Sequence, residues 1–227
     1  MNKPPKYTTF PRSKLFFPIF VILVLTGTLA GPIIAFAAER DGQEGTILFF
    51  GDSLTAGYDV NLQDAYPAVV ERKVRDRGFE FHVVNAGLSG ETTAGGLRRI
   101  DWILRREIDV FVLALGGNDA LRGLDPREAR TNLHGILEKV RDRYPAARIL
   151  LAGMKAPSNM GTDYAEAFAA IYPELAEEFG IPLIPFLLEG VAADPEYNLD
   201  DLIHPNEEGH RKIAQTVWKE LEPLLDP

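Results

Sequence analysis

From residue 46 onward the chain alternates two hydrophobic patterns. Short apolar runs, rich in β-branched and aromatic residues, fall at 46–50 (Thr-Ile-Leu-Phe-Phe), 81–85 (Phe-His-Val-Val-Asn), 109–115 and 148–152. Runs of that length predict buried strands. Between them apolar residues recur every three or four positions, which predicts helices over 65–77, 92–106, 126–143, 164–179 and 205–221. Asp125 and Pro126 read as N-cap and first residue of the third helix, Gly180 as the glycine closing the fourth, and Pro205 as the start of the fifth. Residues 181–186 read as a fifth, short strand despite Pro182 and Pro185, which suits a sheet edge. The run 109–115 is the most apolar and is expected at the sheet centre. Strand and helix in alternation give an α/β fold, one parallel sheet with helices on both faces. A single domain is expected over residues 39–227.

Ahead of this pattern stands a different one. Lys3, Lys6, Arg12 and Lys14 precede an apolar stretch, 15–29, interrupted only by Thr26, Gly27 and Thr28. Gly31-Pro32 then breaks a helix, and Ala35-Phe36-Ala37 offers a small-residue cleavage site. The layout predicts an export signal ending at about Ala38. Left uncut, residues 15–38 (about 24 positions) are long enough to span a bilayer as an anchor. Either way the folded part is expected outside the cytoplasm, periplasmic or secreted after cleavage and membrane-anchored otherwise. Removing the four basic residues takes the net charge from −9 to −13. An acidic chain without a basic stripe is no candidate for nucleic acid. With no cysteine there is no disulfide, thiolate nucleophile or cysteine-ligated metal.

Four segments carry candidate chemistry: Gly51-Asp52-Ser53-Leu54, Asn85-Ala86-Gly87-Leu88-Ser89-Gly90, Gly116-Gly117-Asn118-Asp119 and Asp201-Leu202-Ile203-His204-Pro205. Each stands at the end of an expected strand or in a loop after one. In a parallel sheet those ends share one edge, where such folds bind ligands. The parts match the needs of nucleophilic acyl transfer. Ser53 is inert until a base takes its proton. His204 can be that base, because imidazole titrates near neutrality. Asp201, three residues earlier, can accept the Nδ1 proton and leave Nε2 free. The N–H groups of Ser53 and Gly90 and the Asn118 amide can receive an oxyanion. Gly51 is expected to permit a sharp turn and Asp52 to act as a turn acceptor supporting the site; the plainer alternative is a polar turn whose Ser53 or Asp52 caps the next helix.

Competing readings are weaker. Thr55 breaks the Gly-x-Ser-x-Gly elbow of the larger α/β-hydrolases. Gly116-Gly117-Asn118 lacks dinucleotide-binding spacing. His204, Glu207, Glu208 and His210 resemble a metal cluster without its spacing, and no metal is expected. His82, on a strand, and His134, on a helix, read as structural, and His210 as an exposed or helix-packing residue. Asp200 is a second candidate orienter, with a spacing that favours Asp201. The loop 153–164, with Met154, Met160 and Tyr164, reads equally as an acyl groove or a surface loop.

Together the four segments resemble the blocks of the SGNH (GDSL) hydrolases, over about residues 46–224, and most closely the exported bacterial acyl-CoA thioesterase, lysophospholipase and arylesterase group. Two positions differ from its best-known members: Gly87, and Leu202 where glycine commonly follows the Asp. The resemblance implies a three-layer α/β/α, flavodoxin-like fold with a parallel five-stranded sheet. It implies no cofactor, and a catalytic set of Ser53, Asp201 and His204 with an oxyanion hole of Ser53, Gly90 and Asn118. The expected substrates are small-molecule or lipid acyl esters and thioesters, handled by a monomer that touches membrane only through an uncleaved leader. A cell-envelope carbohydrate O-deacetylase is the alternative within the class, and a non-catalytic membrane-tethered binding module the alternative outside it.

Overall fold

The computed structural model describes Met1 and residues 44–226; the leader expected over 1–38 lies outside the described residues but for Met1. Five strands form one parallel sheet: β1 (Gly45–Gly51), β2 (Phe81–Gly87), β3 (Val110–Ala114), β4 (Arg148–Ala152) and β5 (Leu183–Ile184), in the order β2-β1-β3-β4-β5. The most apolar run, β3, is the central strand, and every one of its side chains is buried. The helices are α1 (Ser53–Ala56), α2 (Tyr66–Asp76), α3 (Thr93–Ile103), α4 (Gly117–Leu121), α5 (Pro126–Arg143), α6 (Thr162–Phe179) and α7 (Glu207–Leu221). Among the described residues no helix is long and apolar enough to cross a membrane.

Successive strand side chains point to opposite faces, and β1 shows what each face meets. Phe49 packs edge-on against Tyr66 of α2, with ring centroids 5.5 Å apart. Its neighbour Phe50 faces Gly96 of α3, where a Cβ would meet both the Phe50 ring and Ile136 of α5. Helices α2 and α7 therefore cover one face, and α3, α5 and α6, packed side by side, cover the other. The result is the three-layer α/β/α arrangement.

Two expectations are corrected. The fifth strand is two residues long rather than six, because Pro182 and Pro185 have no N–H to give a ladder; it pairs by accepting at Pro182 O and Ile184 O from Leu151 and Gly153. The last helix starts at Glu207 rather than Pro205. Pro205 forms an isolated antiparallel bridge with Asn198, and Asn206 caps α7 by accepting from the Gly209 N–H at 3.0 Å.

Candidate active site

The C-terminal edge of the sheet gathers the candidates. Strand β1 runs into Asp52 and then Ser53, the first residue of α1. Strand β3 runs through Gly116 into α4, which carries Asn118 in its first turn. Asp201 and His204 come from the loop between β5 and α7. Gly51 does not turn the chain with a positive φ; it is there for space, since a Cβ would lie 2.7 Å from the Ala114 carbonyl oxygen. Gly87 has the same use, because a Cβ there would sit 2.2 Å from the backbone nitrogen of Ala56, in the helix that begins with Ser53.

His204 Nε2 lies 3.0 Å from Ser53 Oγ, and His204 Nδ1 lies 2.6 Å from Asp201 Oδ2. The other carboxylate oxygen, Oδ1, accepts from the backbone N–H groups of Ile203 and His204, each at 2.9 Å. Partial burial pushes the Asp201 pKa up, but the hydrogen bonds from the His204 ring and from the two backbone N–H groups outweigh it and hold the value at about 2. An ionised carboxylate can only accept, so Nδ1 carries the imidazole proton and the Nε2 lone pair faces the serine hydroxyl. Tyr58 packs over the imidazole with ring centroids 4.3 Å apart. Asp200 makes no contact of this kind.

Asp52 is buried, with 1% of its surface exposed. Its Oδ1 accepts from the Leu54 N–H at 3.0 Å, capping α1, and its Oδ2 accepts from Asn118 Nδ2 at 3.3 Å. Burial raises its pKa to about 6, against the lowering effect of those hydrogen bonds and of His204. Asp119, next to Asn118, is buried and accepts from the Thr93 N–H at 2.8 Å and the Thr93 hydroxyl at 2.6 Å, which ties the loop to α3.

Ser53, Asn118, Asp201 and His204 line one cavity of about 680 Å³. Its walls are chiefly apolar, including Leu121, Met154, Phe186 and Leu188. From the loop read as groove or surface, Met154 and residues up to Ser158 line it, whereas Met160 and Tyr164 do not. Gly90 lies outside this lining, in a neighbouring depression. Leu202 lines the cavity and adopts φ +57°, the left-handed backbone that glycine takes without strain.

The supposed metal cluster does not converge. His204 faces Ser53, Glu208 pairs with Arg211, and His210 is fully buried between α7 and α2. His210 Nδ1 accepts from the Tyr66 N–H at 3.2 Å, and burial lowers its pKa to about 4. Among the described residues no group of three or more His, Cys, Asp or Glu side chains could hold a metal ion.

A hydroxyl, an imidazole and a carboxylate in series at the C-terminal edge of a parallel sheet mark a serine hydrolase of the compact α/β/α kind. The chain belongs to the GDSL-like Lipase/Acylhydrolase family, whose model matches residues 49–212. It is 42% identical over 182 residues to "Thioesterase 1/protease 1/lysophospholipase L1" of Escherichia coli (strain K12), covering 80% of this chain and 85% of that one. It is 36% identical over 204 residues to "Esterase TesA" of Pseudomonas aeruginosa, covering 89% of this chain and 98% of that one. The crystal structure of AlinE4, an SGNH-hydrolase family esterase, superposes with a TM-score of 0.67 at 42% identity, covering 82% of this chain and all of that one.

Proposed function

We propose that this protein hydrolyses acyl esters and thioesters through an acyl-Ser53 intermediate. The observation that carries the reading is the relay from Asp201 through His204 to Ser53 at the mouth of an apolar cavity. His204 Nε2 takes the Ser53 proton as Oγ bonds to the acyl carbon. The proton passes to the departing alkoxide or thiolate as its bond to that carbon breaks. Water, deprotonated by the same nitrogen, then attacks the acyl-serine; the C–Oγ bond breaks, Oγ regains the proton, and the free acid leaves. The Ser53 and Gly90 N–H groups and the Asn118 amide receive the oxyanion that exists only during these additions.

The apolar lining favours fatty acyl chains, so the substrate classes are lysophospholipids, acyl-CoA-type thioesters and aryl esters. Hydrolysis of p-nitrophenyl esters from acetyl to palmitoyl, beside a lysophospholipid and an acylated sugar, tests this. Turnover rising beyond acetyl agrees with it; a maximum at acetyl with fast sugar deacetylation points to the carbohydrate O-deacetylase instead. The protein is read as exported, on the basic start, apolar run and small-residue site of residues 1–38. N-terminal sequencing checks this: Ala38 marks a cleaved leader, and Met1 on a membrane fraction marks an anchor.

A further inference from the structure

Beside the acyl cavity is a second, shallower depression of about 510 Å³, formed by the loop after β2, the start of α3 and the end of α4. Its lining includes Leu88, Ser89, Gly90, Arg98, Arg99 and Arg122. The single acid in that lining, Glu91, is buried and bound by Arg99, so those two charges cancel. Arg98 is exposed and has no side-chain partner among the described residues. Arg122 is also exposed and spends one N–H group on the Gly90 carbonyl oxygen at 2.9 Å, leaving most of its five donors free. Two uncompensated arginines thus flank an open depression on a chain of net charge −9. An acidic protein repels polyanionic substrates, and a local cationic site at the rim offsets that.

Its position ties it to the reaction. Arg122, the residue that caps the C-terminal end of α4, stands one helical turn after Asn118, and its N–H donates to the Asn118 carbonyl oxygen at 3.2 Å. Side chains four residues apart on a helix share a face. Leu121, the residue before Arg122, lines the acyl cavity. Over the oxyanion loop the space is open: the nearest atom to a Cβ placed on Gly90 is Arg122 Nη2, at 3.7 Å.

We propose that Arg98 and Arg122 form a phosphate subsite for the alcohol or thiol half of the substrate, which rests on the ester-hydrolase reading above. With the acyl chain in the apolar cavity, the polar half is left at the rim. Guanidinium groups match phosphate oxygens with paired, charge-assisted N–H donors. A lysophospholipid headgroup and the phosphates of a coenzyme A thioester carry this same group.

The test compares kcat/KM for matched substrates with and without phosphate, in wild type and in Arg98→Gln and Arg98→Lys. One arm uses octanoyl-CoA against the neutral octanoyl thioester of N-acetylcysteamine. The other uses a lysophosphatidylglycerol against a monoacylglycerol of the same chain. In Arg98→Gln the charged-to-neutral ratio is expected to fall about tenfold, largely through KM, in at least one arm, and Arg98→Lys is expected to recover part of it. The arm that falls identifies the source of the phosphate. Ratios unchanged in both arms overturn the subsite while leaving the esterase reading intact. Failure of that reading shows separately, as neutral substrates that wild type does not turn over.

Discussion

Asn118 Nδ2 donates to Asp52 Oδ2 at 3.3 Å, while Oδ1 of the same buried carboxylate accepts from the Leu54 N–H in the helix that begins with Ser53. One carboxylate therefore holds both the start of Ser53's helix and the Asn118 amide. Both oxygens accept, so asparagine in its place supplies one acceptor and turns an N–H toward the other donor. Asp52→Asn is expected to lower kcat about tenfold, the worth of one charge-assisted hydrogen bond, with KM little changed. Steady-state kinetics checks this; an unaltered kcat removes Asp52 from positioning the amide.

With one N–H held by Asp52, the Asn118 amide has its second left for an oxyanion. A donor aimed at charge present only in the transition state affects turnover more than binding. Asn118→Ala is expected to lower kcat by about 10²–10³, with KM nearly constant. A melting curve on the same variant separates this from a turn-forming role, which would depress the melting temperature and leave kcat near normal.

Asp52 and His210 oppose one another in the pH dependence of stability. His210 is held near 4 in the folded protein, below an ordinary imidazole. Between about pH 4 and 6.5 the unfolded chain therefore binds the extra proton, and stability rises with pH by roughly 3 kcal/mol in total. Asp52 is held at about 6, above an ordinary carboxyl, so the folded chain binds the extra proton between about pH 4 and 6 and stability falls as pH rises. The wild-type profile is expected to be shallow where the two overlap. His210→Gln, which keeps an acceptor for the Tyr66 N–H, should stabilise toward acid across that window. Asp52→Asn should do the reverse. Denaturant titrations at several pH values read both slopes, and identical profiles for all three proteins would contradict the burial of these groups.

Leu202 carries strain that glycine would relieve. Its φ of +57° costs an L-residue roughly 1–2 kcal/mol, partly offset by the chain entropy that glycine loses on folding. Leu202→Gly is expected to stabilise the fold by up to about 1 kcal/mol. Because the leucine also lines the cavity, turnover of long acyl chains should weaken relative to short ones. Thermal melts and a chain-length series measure the two effects.

The long elements were legible because each had a period to read. The apolar runs of β1, β3 and β4 and the stripes of α2, α5 and α7 announce themselves, and the Asp125-Pro126 start and Gly180 stop of their helices fall where expected. Helices α1 and α4 were not legible, since four and five residues are too few to show a 3.6-residue period. The burial of His210 had a signal: it continues the stripe of Ile213, Ala214, Val217 and Leu221. The ties from Glu91 to Arg99 and from Asp119 to Thr93 had none, because they join residues whose spacing follows no local repeat. The four candidate segments stood out through residue type and order alone. The meeting of Ser53, Asn118, Asp201 and His204 followed from the parallel sheet, and a cap by Ser53 or Asp52 could be read from the polar turn, whereas the bond from Asn118 to Asp52 joins residues far apart in sequence and had no local signal.

The most direct measurement is the mass of peptides from protein treated with a fluorophosphonate. This reagent forms a stable phosphonyl ester with a serine hydroxyl activated by a base, releasing fluoride. The expected result is one adduct, on Ser53, formed with loss of esterase activity and slowed strongly in His204→Ala. An unlabelled Ser53 in protein that remains active, or an adduct on another serine accompanying inactivation, would contradict Ser53 as the nucleophile.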